Sequence, residues 1–242
     1  MEDFIDVLIS QAETNGEEIP DKDAFIKATA IVLFGAGTDT SSVVLEWALS
    51  LLLRHAHVMM KAHEELDTKV GRKRLVEKSD IPQLTYLQAI VKETLRLYPP
   101  GPLLMPHKSI EACTVGGYHI SAGTILMVNA WVIQRDPKVW NKPLDFIPEH
   151  FMEKGIEMDS MQMRGNEFEI LPFGTGRRGC LGTSLAMSMV QTTLASLLQS
   201  FDWFVPDGRV LGMNEGVGLT MPRAVPLEVR IKPRLSHHLY HN

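Results

Sequence analysis

The chain has 242 residues, 45% of them hydrophobic and 22% charged, with a formal net charge of −5. That length buries a sizeable core, the composition is that of an ordinary globular protein, and the acidic balance gives no expectation of nucleic acid as a partner. Two cysteines, Cys113 and Cys180, are too few for a disulfide framework, so a reducing compartment is the default.

The chain opens on Met1-Glu-Asp-Phe-Ile-Asp6, acidic where a secretory signal needs a basic region. Its longest apolar stretch, residues 28–37, is shorter than the ~20 residues that span a bilayer, and the chain as given reads as soluble. Thirteen methionines are many for this length. Adaptable core filling explains them, with a loosely specific apolar pocket as the alternative.

Residues 3–14 read as helix, with Phe4, Val7, Leu8 and Gln11 on neighbouring turns. A turn at Asn15-Gly16 follows, and Glu18-Ile-Pro20-Asp21 opens a second helix with acid in its first turn. This helix runs over 21–54 and is apolar over much of its surface, which predicts burial in the middle of the molecule. In its interior lies Ala36-Gly37-Thr38-Asp39-Thr40. Gly35 and Gly37 each cost up to ~1 kcal/mol against Ala there, and Asp and Thr compete for backbone bonds. Such a break marks either a packing glycine with a helix bend or a functional site.

Residues 56–70 predict an amphipathic surface helix closed by Gly71. Ser79-Asp80-Ile81-Pro82 offers a fresh cap, and residues 84–97 form another helix, stopped by Pro99-Pro100. Glu93 and Arg96 share a face of it; alone, that pair reads as a surface ion pair worth little. Beyond the prolines, residues 112–115, 118–120 and 124–128 read as short strands joined by glycine turns, with Cys113 as a small core hydrophobe. Residues 129–135 predict a helical turn. The long aperiodic stretch 136–170 points to a loop that serves a site. Residues 184–198 are a helix, and 201–205 and a hairpin-like tail over 218–231 finish the chain. There are no internal repeats, and the change of texture at Pro99 is not a domain boundary.

Between 136–170 and the last helix lies Phe173-Gly-Thr-Gly-Arg-Arg-Gly-Cys180-Leu-Gly182, which admits two chemistries. Gly174-x-Gly176-x-x-Gly179 satisfies the dinucleotide fingerprint, with Asp202 as a ribose carboxylate, yet no βαβ unit surrounds it. The rival is metal–thiolate ligation by Cys180. Arg177, Arg178 and the N-terminus of the next helix all favour the sulfur anion. A buried structural cysteine would leave the flanking glycines and arginines unexplained.

Phe173-x-x-Gly176-x-Arg178-x-Cys180-x-Gly182 resembles the haem-binding signature of the cytochrome P-450 family. Ala36-Gly37-x-Asp39-Thr40 resembles that family's oxygen-activation motif, and Glu93-x-x-Arg96 its helix pair near the haem. Phe146-x-Pro148-Glu149-His150-Phe151 resembles the segment that normally carries an arginine to complete a triad with that pair. All four stand in the family's order and spacing. Gly165-x-x-Phe168-Glu-x-x-Pro172-Phe173 and Glu215-x-x-Gly218-Leu-Thr220 are similar to the plant microsomal branch acting on specialised metabolites.

The resemblance implies a mainly α fold with small β-sheets, the C-terminal haem-ligand half of the family's fold, with residues 1–242 as a single partial domain. It implies haem b (iron protoporphyrin IX), electrons from NADPH through a partner NADPH-cytochrome reductase, and insertion of one atom of O2 into a lipophilic small molecule. Cys180 would be the proximal thiolate, Arg178 would pair with a haem propionate, and Phe173 would pack beside the sulfur, with Gly176 and Gly182 shaping the loop. Thr40 and Asp39 would serve oxygen binding and proton relay, with Gly37 leaving room. Substrate would touch residues 30–36, including Phe34 and Ala36, then Leu103 and Leu104, and the turn at Leu219 and Thr220.

Three departures stand out. His150 replaces the triad arginine, and a mostly neutral imidazole lacks the bidentate fork, which predicts a weakened scaffold. His107 stands where many relatives carry a propionate-binding arginine and keeps one hydrogen bond to donate. Ala56 replaces a customary proline, with little expected consequence. The family is also longer, and the resemblance places the membrane anchor in the part not represented, with full-length members on the cytosolic face of the endoplasmic reticulum. The alternatives are an inactive fragment that at best binds haem or a partner helix, and, more distantly, a dinucleotide-binding protein.

Overall fold

The computed structural model describes residues 3–14, 21–153, 168–207 and 209–240. The turn expected at Asn15-Gly16, the opening Glu18-Ile-Pro20 and Gly165 lie outside them. The chain divides into two compact units, one up to Ser42 and one from Val43 onward.

The first unit holds α1 (Phe4–Thr14) and the first part of α2 (Lys22–Arg54). Each helix starts on an aspartate: Asp3 Oδ1 accepts the N–H groups of Ile5 (2.8 Å) and Asp6 (3.0 Å), and Asp21 Oδ1 that of Ala24 (2.9 Å). Leu8 and Ala12 are the buried residues of α1. The expectation of a buried α2 fails in this unit. Ile31 is 72% exposed and Phe34 77%, and burial begins only at Ser41. An apolar helix is buried only where neighbours lie against it, and the main core takes in Val44, Ala48, Leu49, Leu51 and Leu52 but nothing upstream. The expectation that no segment is long enough to span a bilayer also needs correction. By length and composition α2 qualifies, although its Trp47 and Leu52 are fully buried in protein.

In the second unit, α3 (Ala56–Lys69), α4 (Thr85–Leu97) and α7 (Thr183–Ser200) pack pairwise around that core. α3 contributes the stripe Val58, Ala62, Leu66, one residue per turn, and ends at Gly71 with φ +82. α4 is buried nearly all round, so both its ends need partners. Leu84 at its N-cap offers no side-chain acceptor. Glu65 of α3 substitutes, accepting the N–H groups of Tyr86 (2.8 Å) and Leu87 (2.9 Å). The 3-10 turn Lys78–Gln83 is held by Asp80, which accepts from the Glu77 N–H and pairs with Arg74 at 2.6 and 2.7 Å.

The described strands form three antiparallel pairs: β1 (His107–Lys108) with β4 (Ile125–Leu126), β2 (Cys113–Val115) with β3 (Tyr118–Ile120), and β5 (Phe201–Phe204) with β6 (Arg230–Pro233). Gly116 and Gly117, at φ +58 and +86, make the two-residue hairpin turn. Cys113 is exposed, not a core residue, because all three residues of β2 are exposed. The hairpin expected within 218–231 is not formed: β6 pairs back onto β5, and Arg223 bridges to Glu215. Two short helices, α5 (Ala130–Ile133) and α6 (His150–Glu153), complete the described elements that bear on the site. The fold is mainly α with small sheets.

Candidate functional site

The loop 168–182 enters from the core and leaves as α7. Ile170 and Leu171 are buried, and Phe173 packs against the main core. Gly174 and Gly176 adopt φ +66 and +71, which side chains tolerate poorly, and a 3-10 turn covers Gly176–Arg178. The turn closes by Gly179 N–H to Gly176 O (3.1 Å) and, across the loop, by Cys180 N–H to Phe173 O (2.9 Å). A Cβ on Gly179 would lie 3.3 Å from Gly176 O, and one on Gly182 3.8 Å from Cys180 Sγ. Thr183, fully buried, donates its hydroxyl to Cys180 O at 3.0 Å.

This geometry leaves Cys180 exposed at the start of α7. A sulfur buried as a small hydrophobe is thereby ruled out. Arg177 and Arg178 are exposed beside it, and Leu181 (86% exposed) and Leu185 (66%) extend an open apolar surface one turn along the helix. An outward thiol flanked by guanidinium groups, glycine backbone and bare apolar side chains suits a flat, apolar, anionic group that takes a thiolate ligand. The dinucleotide reading fails on topology, because every strand pairing among the described residues is antiparallel and two-stranded.

The loop's other walls come from the segment after α4. Leu104 has φ +51, unusual for a bulky residue, and its Cδ1 lies 3.9 Å from where a Gly174 Cβ would stand. Leu103 is 43% exposed, and its carbonyl accepts Val128 N–H at 3.2 Å. Met221 N–H to Pro100 O (2.9 Å) draws the exposed Leu219 and half-buried Thr220 toward the same segment. His107 is half-buried on β1, opposite Leu126.

Behind the loop lies a buried ion pair. Glu93 and Arg96 are fully buried and bidentate, Nε to Oε2 and Nη2 to Oε1 both at 2.7 Å. The surface pair expected from spacing alone is therefore a core device. Arg96 also donates to the carbonyls of Gln134 (3.0 Å), Pro143 (2.7 Å) and Asp145 (3.1 Å), and lies 5.0 Å over the Trp140 ring. His150 joins with Nδ1 3.2 Å from Glu93 Oε1 and Nε2 2.8 Å from Asn141 O. Ile147 N–H adds 3.0 Å to Oε1.

The family profile described as Cytochrome P450 matches residues 1–227. The chain belongs to the cytochrome P450 family. It is 50% identical over 242 residues to a flavonoid-6-hydroxylase of Ocimum basilicum, covering 99% of this chain and 44% of that protein. It is also 50% identical over 240 residues to a xanthotoxin 5-hydroxylase of Arabidopsis thaliana, covering 98% and 45%. A zebra fish cytochrome P450 solved with abiraterone superposes with a TM-score of 0.85 at 31% identity, over 97% of this chain and 55% of that one. The chain thus spans about half the length of the cytochrome P450 relatives it matches.

In the first unit of this cytochrome P450, Gly37 and Asp39 are exposed and Thr40 half-buried on α2. The Thr40 hydroxyl donates to Ala36 O (2.7 Å) and Thr38 to Phe34 O (2.8 Å), so Thr40 Oγ1 keeps its lone pairs free to accept. A Cβ on Gly37 would meet nothing within 4 Å. Sequence reasoning passed over Gln134 and Arg135. Arg135 donates to Leu97 O, stacks 3.9 Å over Trp131, and is pulled by burial to about 10, still a cation at neutral pH. No motif marks these two; only their position in a helical turn packed on α4 would have found them.

Proposed function

We propose that this chain is the haem-ligand half of a monooxygenase of plant specialised metabolism, inserting one atom of O2 into a lipophilic small molecule. The observation that carries the reading is Cys180, exposed in a glycine loop whose backbone bonds fix it at the start of α7. When bound, haem b supplies oxygen activation, which an electron-donating thiolate favours. Cys180 holds the iron, Arg178 and His107 hold the propionates, and Phe173 packs beside the sulfur while Gly176 and Gly182 keep the approach open. On α2, Thr40 would hydrogen-bond oxygen through a hydroxyl that here donates to Ala36 O, Asp39 would relay protons, and Gly37 would leave space. Phe34 and Ala36 in the first unit, and Leu103, Leu104, Leu219 and Thr220 in the second, are the residues each unit would offer a lipophilic substrate.

The names of the relatives support flavonoids and xanthotoxin-like molecules as the substrate class. Electrons come from NADPH through an NADPH-cytochrome reductase, and the complete protein acts at the cytosolic face of the endoplasmic reticulum. Residues 1–242 are read as one partial domain. The test is to supply the chain with haem, reductase, NADPH and oxygen and to offer a flavone and xanthotoxin. A product heavier by one oxygen atom, absent with Cys180→Ser, is expected. No product from a chain that holds haem through sulfur favours the second reading, an inactive haem-binding fragment; the exposed Ile31 and Phe34 face of α2 is what recommends it.

A further inference from the structure

Gln134 is fully buried at the end of α5, and its amide makes three hydrogen bonds. Nε2 donates to Leu95 O (3.1 Å) and Arg96 O (2.9 Å), while Oε1 accepts the Leu171 N–H (2.7 Å). Two carbonyls on one side and an N–H on the other fix which end of the amide is which. The main chain of Gln134 is tied as well, its carbonyl to Arg96 Nη1 (3.0 Å) and its N–H to Ala130 O (2.9 Å).

The two carbonyls belong to the last turn of α4, where helical partners run out. A cap needs only the NH2 end of the amide. The oxygen end does something else, because Leu171 opens the cysteine loop. From there Leu171 O accepts Gly174 N–H (3.1 Å) and Phe173 O accepts Cys180 N–H (2.9 Å). Hydrogen bonds joined by the main chain between Phe173 and Gly174 therefore link the Glu93–Arg96 helix to the backbone of Cys180. A glutamine is the uncharged side chain whose length and tip serve both ends; a carboxylate would face two carbonyls, and an apolar side chain would leave three buried backbone groups unpaired.

We propose that Gln134 is a positioning residue for Cys180: it clasps the entry of the thiolate loop to the end of α4 and so sets where the sulfur stands. This rests on Cys180 being the haem ligand. The test compares the full chain with Gln134→Met, which keeps volume and loses all three bonds, and Gln134→Glu, which keeps the acceptor for Leu171. Amide hydrogen exchange is read on the haem-free protein. In Gln134→Met, protection at Leu171 and Cys180 is expected to fall by about tenfold or more while α3 and the β5–β6 pair keep theirs, the pattern of local opening. In Gln134→Glu the new side chain keeps the Leu171 acceptor as the protonated acid, whose O–H can meet one of the two carbonyls, so Leu171 stays protected at acidic pH.

With haem bound and reduced under carbon monoxide, Gln134→Met is expected to convert part of the thiolate band to a non-thiolate form at temperatures where its circular dichroism matches the parent. Unchanged protection in Gln134→Met, a uniform loss across the whole chain, or loss of Leu171 protection in Gln134→Glu at acidic pH would overturn the proposal. A parent chain without any thiolate band would overturn the haem reading instead, and the exchange pattern would still decide the clasp.

Discussion

His150 meets the buried Glu93 carboxylate with one ring nitrogen and a main-chain carbonyl with the other. Both partners accept, so a ring carrying an N–H on each nitrogen satisfies both, while a singly protonated ring satisfies one. Even then only one nitrogen reaches Glu93, where a guanidinium would bring two parallel donors. His150→Arg is accordingly expected to raise the melting midpoint by about 2–4 °C, the equivalent of about 1 kcal/mol in a domain this size; an unchanged or lower midpoint with unchanged haem retention would count against it. Arg96 is the converse case. Arg96→Ala takes the bidentate guanidinium from the buried Glu93 carboxylate, leaving it His150 and the Ile147 N–H, and removes a donor from three carbonyls. A loss of about 3–5 kcal/mol in denaturant unfolding is expected, and a loss under about 1 kcal/mol would contradict the geometry.

Among the elements, the turn before α4 has a pH dependence of definite sign. The Arg74 guanidinium, helped by the Glu77 N–H, holds the Asp80 carboxyl down to about 2. A carboxylate depressed in the folded state stabilises above its unfolded value, and that contribution disappears as pH falls toward about 2. Asp80→Asn should therefore melt below the parent at pH 7, with the gap closing between about pH 4 and 2. A gap that stays constant or widens on acidification would show that Asp80 acts otherwise.

The helices themselves were legible because their signals are local: period, caps and Pro99-Pro100 place α3, α4 and α7 within a residue or two. What local signals do not carry is the neighbour. α2 reads as buried throughout, yet only its part from Ser41 on finds packing. Cys113 reads as core, yet its ribbon has exposed strands. The tail hairpin was misplaced because β6 pairs with β5, a non-local choice that turn residues do not encode. The cysteine loop stood out through its motif; spacing put Glu93 and Arg96 on one face but read them as a surface pair, because burial on all sides is set by neighbouring elements. Gln134 and Glu65 were not legible, because each serves backbone groups on a different element.

At the scale of the whole molecule, the chain covers 44% and 45% of two relatives to which it is 50% identical. Ile31 and Phe34 on α2, Leu181 and Leu185 at the start of α7, and Ile125 and Leu126 on β4 are open surface in this chain. Three bonds that shape the cysteine loop lie within the second unit: Gln134 to Leu171, Cys180 to Phe173, Thr183 to Cys180. We propose that this loop presents Cys180 as a haem thiolate. The most direct measurement is the Soret spectrum of the haem-loaded chain, reduced under carbon monoxide, beside its Cys180→Ser variant. The red-shifted thiolate band in the parent and its loss in the variant are predicted. A parent spectrum of histidine type, or a band that survives Cys180→Ser, would contradict the account.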